Sequence, residues 1–222
     1  LTMMKLYGHP FSSYTWKPLI ALYEKGLDFE FRDLDEAGQS RVLDEMKALW
    51  PTGKFPVLED DGLVFPESTI IIEHLDQRYP DTSLMIPYDE TDALDVRLMD
   101  RVFDNHLEAN FQAVVGEYLP FITEKPDQMG IDRAKAALSV IYEWLENRVP
   151  DDGWVCGRDF TLADCSGAPA LFYADWVLEI PHELKRLRAY RARLLARPSV
   201  ARCVEAARPF RSYFPLGAPD RD

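Results

Sequence analysis

GKFPVLEDDGLVFPES, residues 53–68, is a strand, a tight turn, a second strand and the first residues of a helix. PVLED and LVF are short apolar runs, and Asp61-Gly62 between them is a hairpin turn signal. Pro56 has no N–H to give to a sheet ladder, so it belongs at a strand entry or an edge. An X-Pro bond in so tight an entry admits the cis form, which would turn the Phe55 N–H and C=O outward to pair with an extended, peptide-like ligand. Glu67-Ser68 then opens the helical run STIIIEHLDQRY with a carboxylate and a hydroxyl.

Working back to the N-terminus, MKLYG, WKPLIALYEKG, DFEFRDL and SRVLDEMKALW alternate strand with helix. The order is therefore β-α-β-α-β-β-α. Phe29 and Phe31 alternate with charged neighbours as in a half-buried strand, and Tyr7 reads as a packed strand residue. Two strands joined by a helix pair in parallel and the hairpin adds antiparallel pairs, which gives a mixed four-stranded sheet. Tyr79-Pro80-Asp81 closes the unit. The division expected is an α/β domain over 1–81, a linker over 82–88 and an all-helical domain over 89–222, whose apolar spacing begins at Leu94, Leu98, Val102 and Phe103.

With 222 residues, 47% of them hydrophobic, the chain can bury a substantial core. Its formal net charge of −13 argues against general binding to nucleic acid or anionic membranes. Cys156, Cys165 and Cys203 are far apart and make neither a disulfide framework nor a zinc cluster, and no His-Cys-Asp cluster has metal spacing, so no metal is expected and a reducing, cytoplasmic setting fits best. No apolar run has the length of a membrane-spanning helix.

Three stretches converge if the sheet forms in this way. HPFSSYTWK, residues 9–17, places Ser12, Ser13 and Tyr14 at a strand-to-helix corner, where unpaired N–H groups favour an anion. Lys54-Phe55-Pro56 offers backbone to a peptide. Ser68 and nearby N–H groups suit a ligand carboxylate, and Glu67 suits an ammonium. Together they would hold the head group of an amino acid and the backbone of a peptide.

MKLYG…SS…LIALYEKG, GKFPVLEDDGLVFPEST…EHLDQRYP and the later FTLADCS together resemble a serine-type glutathione transferase of the cytosolic superfamily, with a thioredoxin-like first domain. The resemblance covers essentially the whole chain. It implies glutathione as co-substrate, with its thiol at Ser12, its cysteinyl backbone at Phe55 beside Pro56, its γ-glutamyl group at Glu67 and Ser68, and its glycine end near Lys54. It further implies a cytoplasmic homodimer that conjugates the thiolate to small, largely apolar electrophiles, a detoxifying transferase. Thr161 and Asp164 have capping-box spacing, and Phe160 is placed to staple onto Cys165. Lowering a free thiol from about 8.5 by two units takes roughly 2.7 kcal/mol. One charge-assisted hydrogen bond of about 1.5–3 kcal/mol with a helix-end contribution is sufficient.

Several alternatives stand beside this reading. Ser13 is the adjacent rival of Ser12, and either serine also serves as an ordinary N-cap. Tyr14 is a second-choice hydroxyl or a wall of the co-substrate pocket. Phe103, Phe111, Val114 and Tyr118 are the helical-domain residues expected to line that pocket, with core packing as their default role. His9 reads as a loop residue and His106 as solvent-facing or pocket-lining. Pro18 fits the first helical run, WKPLIALYEKG, only within its first turn. Trp50 stands where the family often has a polar residue, which bears on local ligand contacts. The nine Arg or Lys against two Glu between His182 and Arg211 read as a solvated helix face. A glutathione-dependent isomerase, dehalogenase or peroxidase on the same scaffold is the enzymatic alternative, and a noncatalytic glutathione-binding or regulatory module is the other. A cysteine-based redox enzyme is disfavoured, because hydroxyl residues occupy the corner where its thiol would lie.

Overall fold

The computed structural model describes residues 3–34 and 39–222. Strand β1 (Lys5–Gly8) is central: it pairs in parallel with β2 (Glu30–Asp33) and antiparallel with β3 (Val57–Asp60), and β4 (Leu63–Pro66) completes the order β2-β1-β3-β4. The Asp61-Gly62 turn has φ of +51° and +81°, the left-handed pair that matches the twist of a two-residue hairpin. Alternation along β1 and β3 sends Leu6 and Leu58 to one face and Tyr7 and Val57 to the other. Helices α1 (Ser13–Lys25) and α3 (Ser68–Arg78) bring Trp16, Ile20, Ile72 and Leu75 to the first face, while α2 (Gln39–Leu49) covers the second with Val42 and Met46.

Pro18 does not fall in the first turn of α1. It is the sixth residue of a helix that starts at Ser13, so it withholds the N–H that the Tyr14 carbonyl would otherwise receive. The helix persists because its flank, from Trp16 to Leu22, is buried.

After α3, residues 85 and 86 are held by one carboxylate. Asp76 accepts from the N–H groups of Met85 (3.0 Å) and Ile86 (2.8 Å) and pairs with the buried Lys25 at 2.7 Å. Helix α4 (Glu90–Val102) then passes through a π-helical turn, Phe103–Glu108, into α5 (Ala109–Gly116). The buried face of α4 runs through Ala93, Val96 and Met99, which leaves Leu94 and Leu98 exposed. Helices α6 (Gln128–Arg148), α7 (Leu162–Val177), α8 (Lys185–Ala196) and α9 (Pro198–Ala207) follow, with a 3-10 turn at Arg208–Tyr213. Every residue of α7 is buried. Trp16 of α1 packs on its Phe172 and Tyr173, so one apolar core runs from the sheet into the helices.

The capping box forms: the Thr161 N–H donates to Asp164 Oδ2 at 3.0 Å, and Asp164 also accepts from Val155 N–H and the Tyr190 hydroxyl. Phe160 packs edge-on against Trp154 and under the Arg197 guanidinium. The basic stretch is not a solvated face. Arg193 donates to the carbonyls of Pro150, Asp151 and Gly153, Arg191 to those of Leu171 and Phe172, and Arg197 pairs with Glu24. These arginines tie loops and helix ends together, which a planar five-donor group does well.

Candidate functional site

Ser12 is the N-cap of α1. Its backbone is extended, at φ −82° and ψ 121°, and its Oγ accepts from the Thr15 N–H at 3.2 Å. A cap occupies an acceptor lone pair and leaves the hydroxyl hydrogen available. No acidic side chain stands in the first turn of α1, so the partial positive charge of its N-terminus is not neutralised from within the helix.

Ser13 turns inward and is buried. Its Oγ lies 2.9 Å from Glu108 Oε2 and accepts from Gln112 Nε2 at 3.2 Å. The adjacent serines therefore have different surroundings, one at the corner and one beneath it. Glu108 itself has no exposed surface, and its Oε1 has no hydrogen-bond partner. Burial pushes its carboxyl up to about 8, against the pull of the Ser13 hydrogen bond.

The other two stretches meet the same corner. A cleft of about 640 Å³ is lined by Tyr14, Trp50, Lys54, Phe55, Pro56, Glu67, Ser68, Thr69, Arg101, Asp104 and Asn105, among others. The Phe55-Pro56 bond is cis. Glu67 stands at φ +72° as N-cap of α3 with no capping bond from its side chain. A non-glycine residue in that region is strained by about 1–3 kcal/mol, and here it leaves the carboxylate exposed on the cleft.

A second cavity of about 820 Å³ opens beside the first and shares Tyr14, Lys54 and Phe55 with it. Ser12 and Ser13 border it, and its walls include His9, Phe11, Phe111, Val115, Leu119, Phe121, Tyr173, Tyr213 and Phe214. Tyr14 and Phe111 are among the residues lining it. Phe103 and Val114 are fully buried in the core and line neither cavity, since the wall takes Val115 from the same helix. Tyr118 is exposed and also lines neither; Leu119 and Phe121 hold that position. The His9 ring accepts from the Phe11 N–H at 3.0 Å and packs on Phe210 and Tyr213. Burial, followed by the charges of Glu108 and Asp104, holds the Tyr14 phenol well above its ordinary value, so Tyr14 faces the site as a neutral hydroxyl.

Below the first cleft lies a polar cluster that sequence reasoning missed. Lys17 is fully buried and reaches Asp100 and Asp104 at 2.9 Å and Thr69 at 3.1 Å, while Arg101 closes the same two carboxylates at 2.6 Å. Ser166 bonds Asp100 from α7. Burial alone would raise Asp100, but Lys17, Ser166 and Arg101 together hold it below the usual carboxylate range. Asp104 moves the other way because burial outweighs its attraction to Lys17. The available signal was the spacing of Asp100, Asp104 and Glu108, three acids four residues apart along an apolar run.

Cys156, Cys165 and Cys203 are free thiols that burial pushes upward, remote from this chemistry. Among the described residues, no group of His, Cys, Asp and Glu is placed to hold a metal, and no helix is long and apolar enough to cross a membrane.

A thioredoxin-like sheet with an edge hairpin, a hydroxyl-bearing α1 corner and a helical second half is an arrangement shared with known proteins. The family model described as Glutathione S-transferase, N-terminal domain, matches residues 6–83, and that described as Glutathione S-transferase, C-terminal domain, matches residues 128–193. The chain belongs to the cytosolic glutathione S-transferase superfamily. It is 28% identical to Glutathione S-transferase F13 of Arabidopsis thaliana over 77% of this chain and 80% of that one. It is also 28% identical to Glutathione S-transferase 4 of Zea mays, over 97% of this chain and 95% of that one. Among solved structures, the glutathione transferase URE2P8 from Phanerochaete chrysosporium, determined with oxidized glutathione, superposes with a TM-score of 0.81 at 21% identity, covering 96% of this chain and 98% of that one.

Proposed function

We infer that this chain is a glutathione transferase that conjugates glutathione, through its thiolate, to small, largely apolar electrophiles. The observation that carries the reading is the meeting of Ser12, Phe55 and the Glu67-Ser68 pair on adjoining cavities, one bearing Lys54, Glu67, Arg101 and Asp104 and one walled by aromatic rings. Glu67 takes the γ-glutamyl ammonium, Ser68 and the first N–H groups of α3 take its carboxylate, Phe55 pairs with the cysteinyl backbone, and Lys54 meets the glycine carboxylate. The sulfur then lies at the N-terminus of α1, where the Ser12 hydroxyl donates to it. Thiolate attack forms the C–S bond, and the leaving group departs with its electron pair into the aromatic cavity.

The test is calorimetric titration of glutathione into the wild-type protein and Glu67→Ala. Loss of a charge-assisted contact of about 1.5–3 kcal/mol weakens affinity roughly tenfold or more while the fold is retained. Unchanged affinity in a folded variant overturns the head-group assignment.

The same reading includes a cytoplasmic homodimer. Leu94 and Leu98 on α4 and Val140 and Trp144 on α6 are exposed at i, i+4 spacing, and Val102, His106, Ala137 and Ile141 line a groove with the latter pair. A second copy related by a twofold axis would cover these surfaces reciprocally.

A further inference from the structure

Glu108 has no place in the conjugation just described, yet it lies directly beneath the corner where the sulfur is held. Its surroundings decide its protonation state. From α1 it meets Ser13, with Tyr14 and Lys17 nearby; from its own helix, Asp104, Gln112 and, further back, Arg101; from α7, Tyr173. Helix α6 turns the buried face of Ile131, Ala134, Leu138, Tyr142 and Leu145 inward. The two cations are committed elsewhere, Lys17 and Arg101 both to Asp100 and Asp104. An ionised Glu108 would leave a charge without a counter-ion and one oxygen, Oε1, with no donor. With the proton on Oε2, only an uncharged carbonyl oxygen is left without a partner, and Oε2 donates to Ser13 Oγ across the observed 2.9 Å. Ser13 Oγ then accepts twice, from Glu108 and from Gln112, and both of its lone pairs are occupied. Its own hydrogen is left for the cavity that Ser13 borders.

We propose that Glu108 is a positioning residue: as a neutral carboxylic acid it donates to Ser13, turns the Ser13 hydroxyl hydrogen toward the cavity as a second donor to the glutathione sulfur beside Ser12, and withdraws that donor when it ionises. This rests on the glutathione reading of the cleft. Ionisation reverses the hydrogen bond, because a carboxylate only accepts, and it sets a negative charge beneath the position of the thiolate. The site thus carries one negative charge, on sulfur or on Glu108. A carboxyl at about 8 puts the reversal on the alkaline side of neutrality.

The experiment compares kcat/KM for glutathione, with an activated aryl chloride as electrophile, in wild type and Glu108→Gln across about pH 6.5–9.5. Glutamine keeps the donor to Ser13 and cannot ionise. Taking the ratio of variant to wild type cancels the titration of glutathione itself. The expected ratio is near one at neutral pH and rises through the Glu108 value, to an upper limit of about tenfold one unit above it, because about nine-tenths of the wild type is then ionised and keeps only the Ser12 donor. A ratio that stays flat, in a protein that binds and conjugates glutathione, overturns this proposal alone. A wild-type protein that fails to bind glutathione by calorimetry overturns the reading of the cleft instead. Should the variant fold poorly, carbon-13 glutamate labelling of the wild type supplies a second readout: the infrared carbonyl stretch of a protonated glutamic acid is present at neutral pH and fades as the pH rises past that of Glu108. Absence of that band at neutral pH overturns the proposal.

Discussion

Ser12 and Ser13, adjacent at the start of α1, have different partners. Ser12 caps α1 through its Oγ, whereas Ser13 Oγ meets the buried Glu108 and Gln112. In Ser12→Ala the thiol of bound glutathione should titrate nearer to its free value of about 8.5, with conjugation at neutral pH slowed roughly tenfold for each unit lost. The same variant should lose about 1 kcal/mol of stability, since it also removes the cap. Ser13→Ala is expected to shift the thiol less and to cost more in stability, about 1–3 kcal/mol, because it strips a fully buried carboxyl of its partner. Thiolate absorbance against pH in the two complexes, with denaturant melts alongside, separates these effects. A shift confined to Ser13→Ala moves the principal donor one residue along.

At the scale of elements, the π-helical turn at Phe103–Glu108 is the irregular piece, and such turns often accompany functional sites. It leads from the Asp104 that meets Lys17 to the Glu108 that meets Ser13, so a single segment underlies both halves of the site. Glu108 also makes this element sensitive to pH. Its folded value of about 8 lies above the ordinary 4.5, so folding takes up a proton between these limits. The stabilisation is fully present below about 4.5 and is lost as the pH rises through about 8. Glu108→Gln should therefore flatten the stability profile across that window, gaining on the order of 4 kcal/mol relative to wild type at its upper end. Urea melts at intervals from pH 5 to pH 8 check the sign, and parallel profiles would show that Glu108 folds already ionised. The hairpin, by contrast, was legible locally: Asp61-Gly62 requires positive φ at both turn positions, and the flanking residues alternate.

Across the whole molecule, one core joins the sheet to the helices through Trp16, Phe172 and Tyr173, and the buried Lys17 joins α1 and α3 to α4 and the π-helical turn. The remaining apolar surface on α4 and α6 faces outward. Sedimentation equilibrium at micromolar concentration should give the mass of a dimer, and Leu98→Asp with Val140→Asp should reduce it to that of a monomer without unfolding either half. A monomeric wild type would leave those side chains as isolated surface residues. The Leu94–Leu98 repeat shows how far periodicity reaches. It correctly marks a helix, but the core face of α4 lies along Ala93, Val96 and Met99. Periodicity names the apolar face, whereas only packing partners say which apolar residues are covered.

The strand and helix order, the mixed sheet, the hairpin and the cap at Thr161 are all legible in the chain itself, because each rests on chemistry within a few neighbouring positions: turn geometry, missing N–H groups, spacing of two or four. Tertiary structure alone decided that Ser12 faces the corner and Ser13 faces Glu108, a residue 95 positions away. It also decided that Val115 and Phe121 stand where Val114 and Tyr118 were expected, that Tyr213 and Phe214 return to wall the cavity beside His9, and that the arginines of α8 serve as ties to backbone carbonyls. The reason is the same in each case. Burial and pairing depend on which distant side chain arrives opposite, and the protonation of Glu108 follows from the absence of an available cation among its neighbours, which no local pattern encodes.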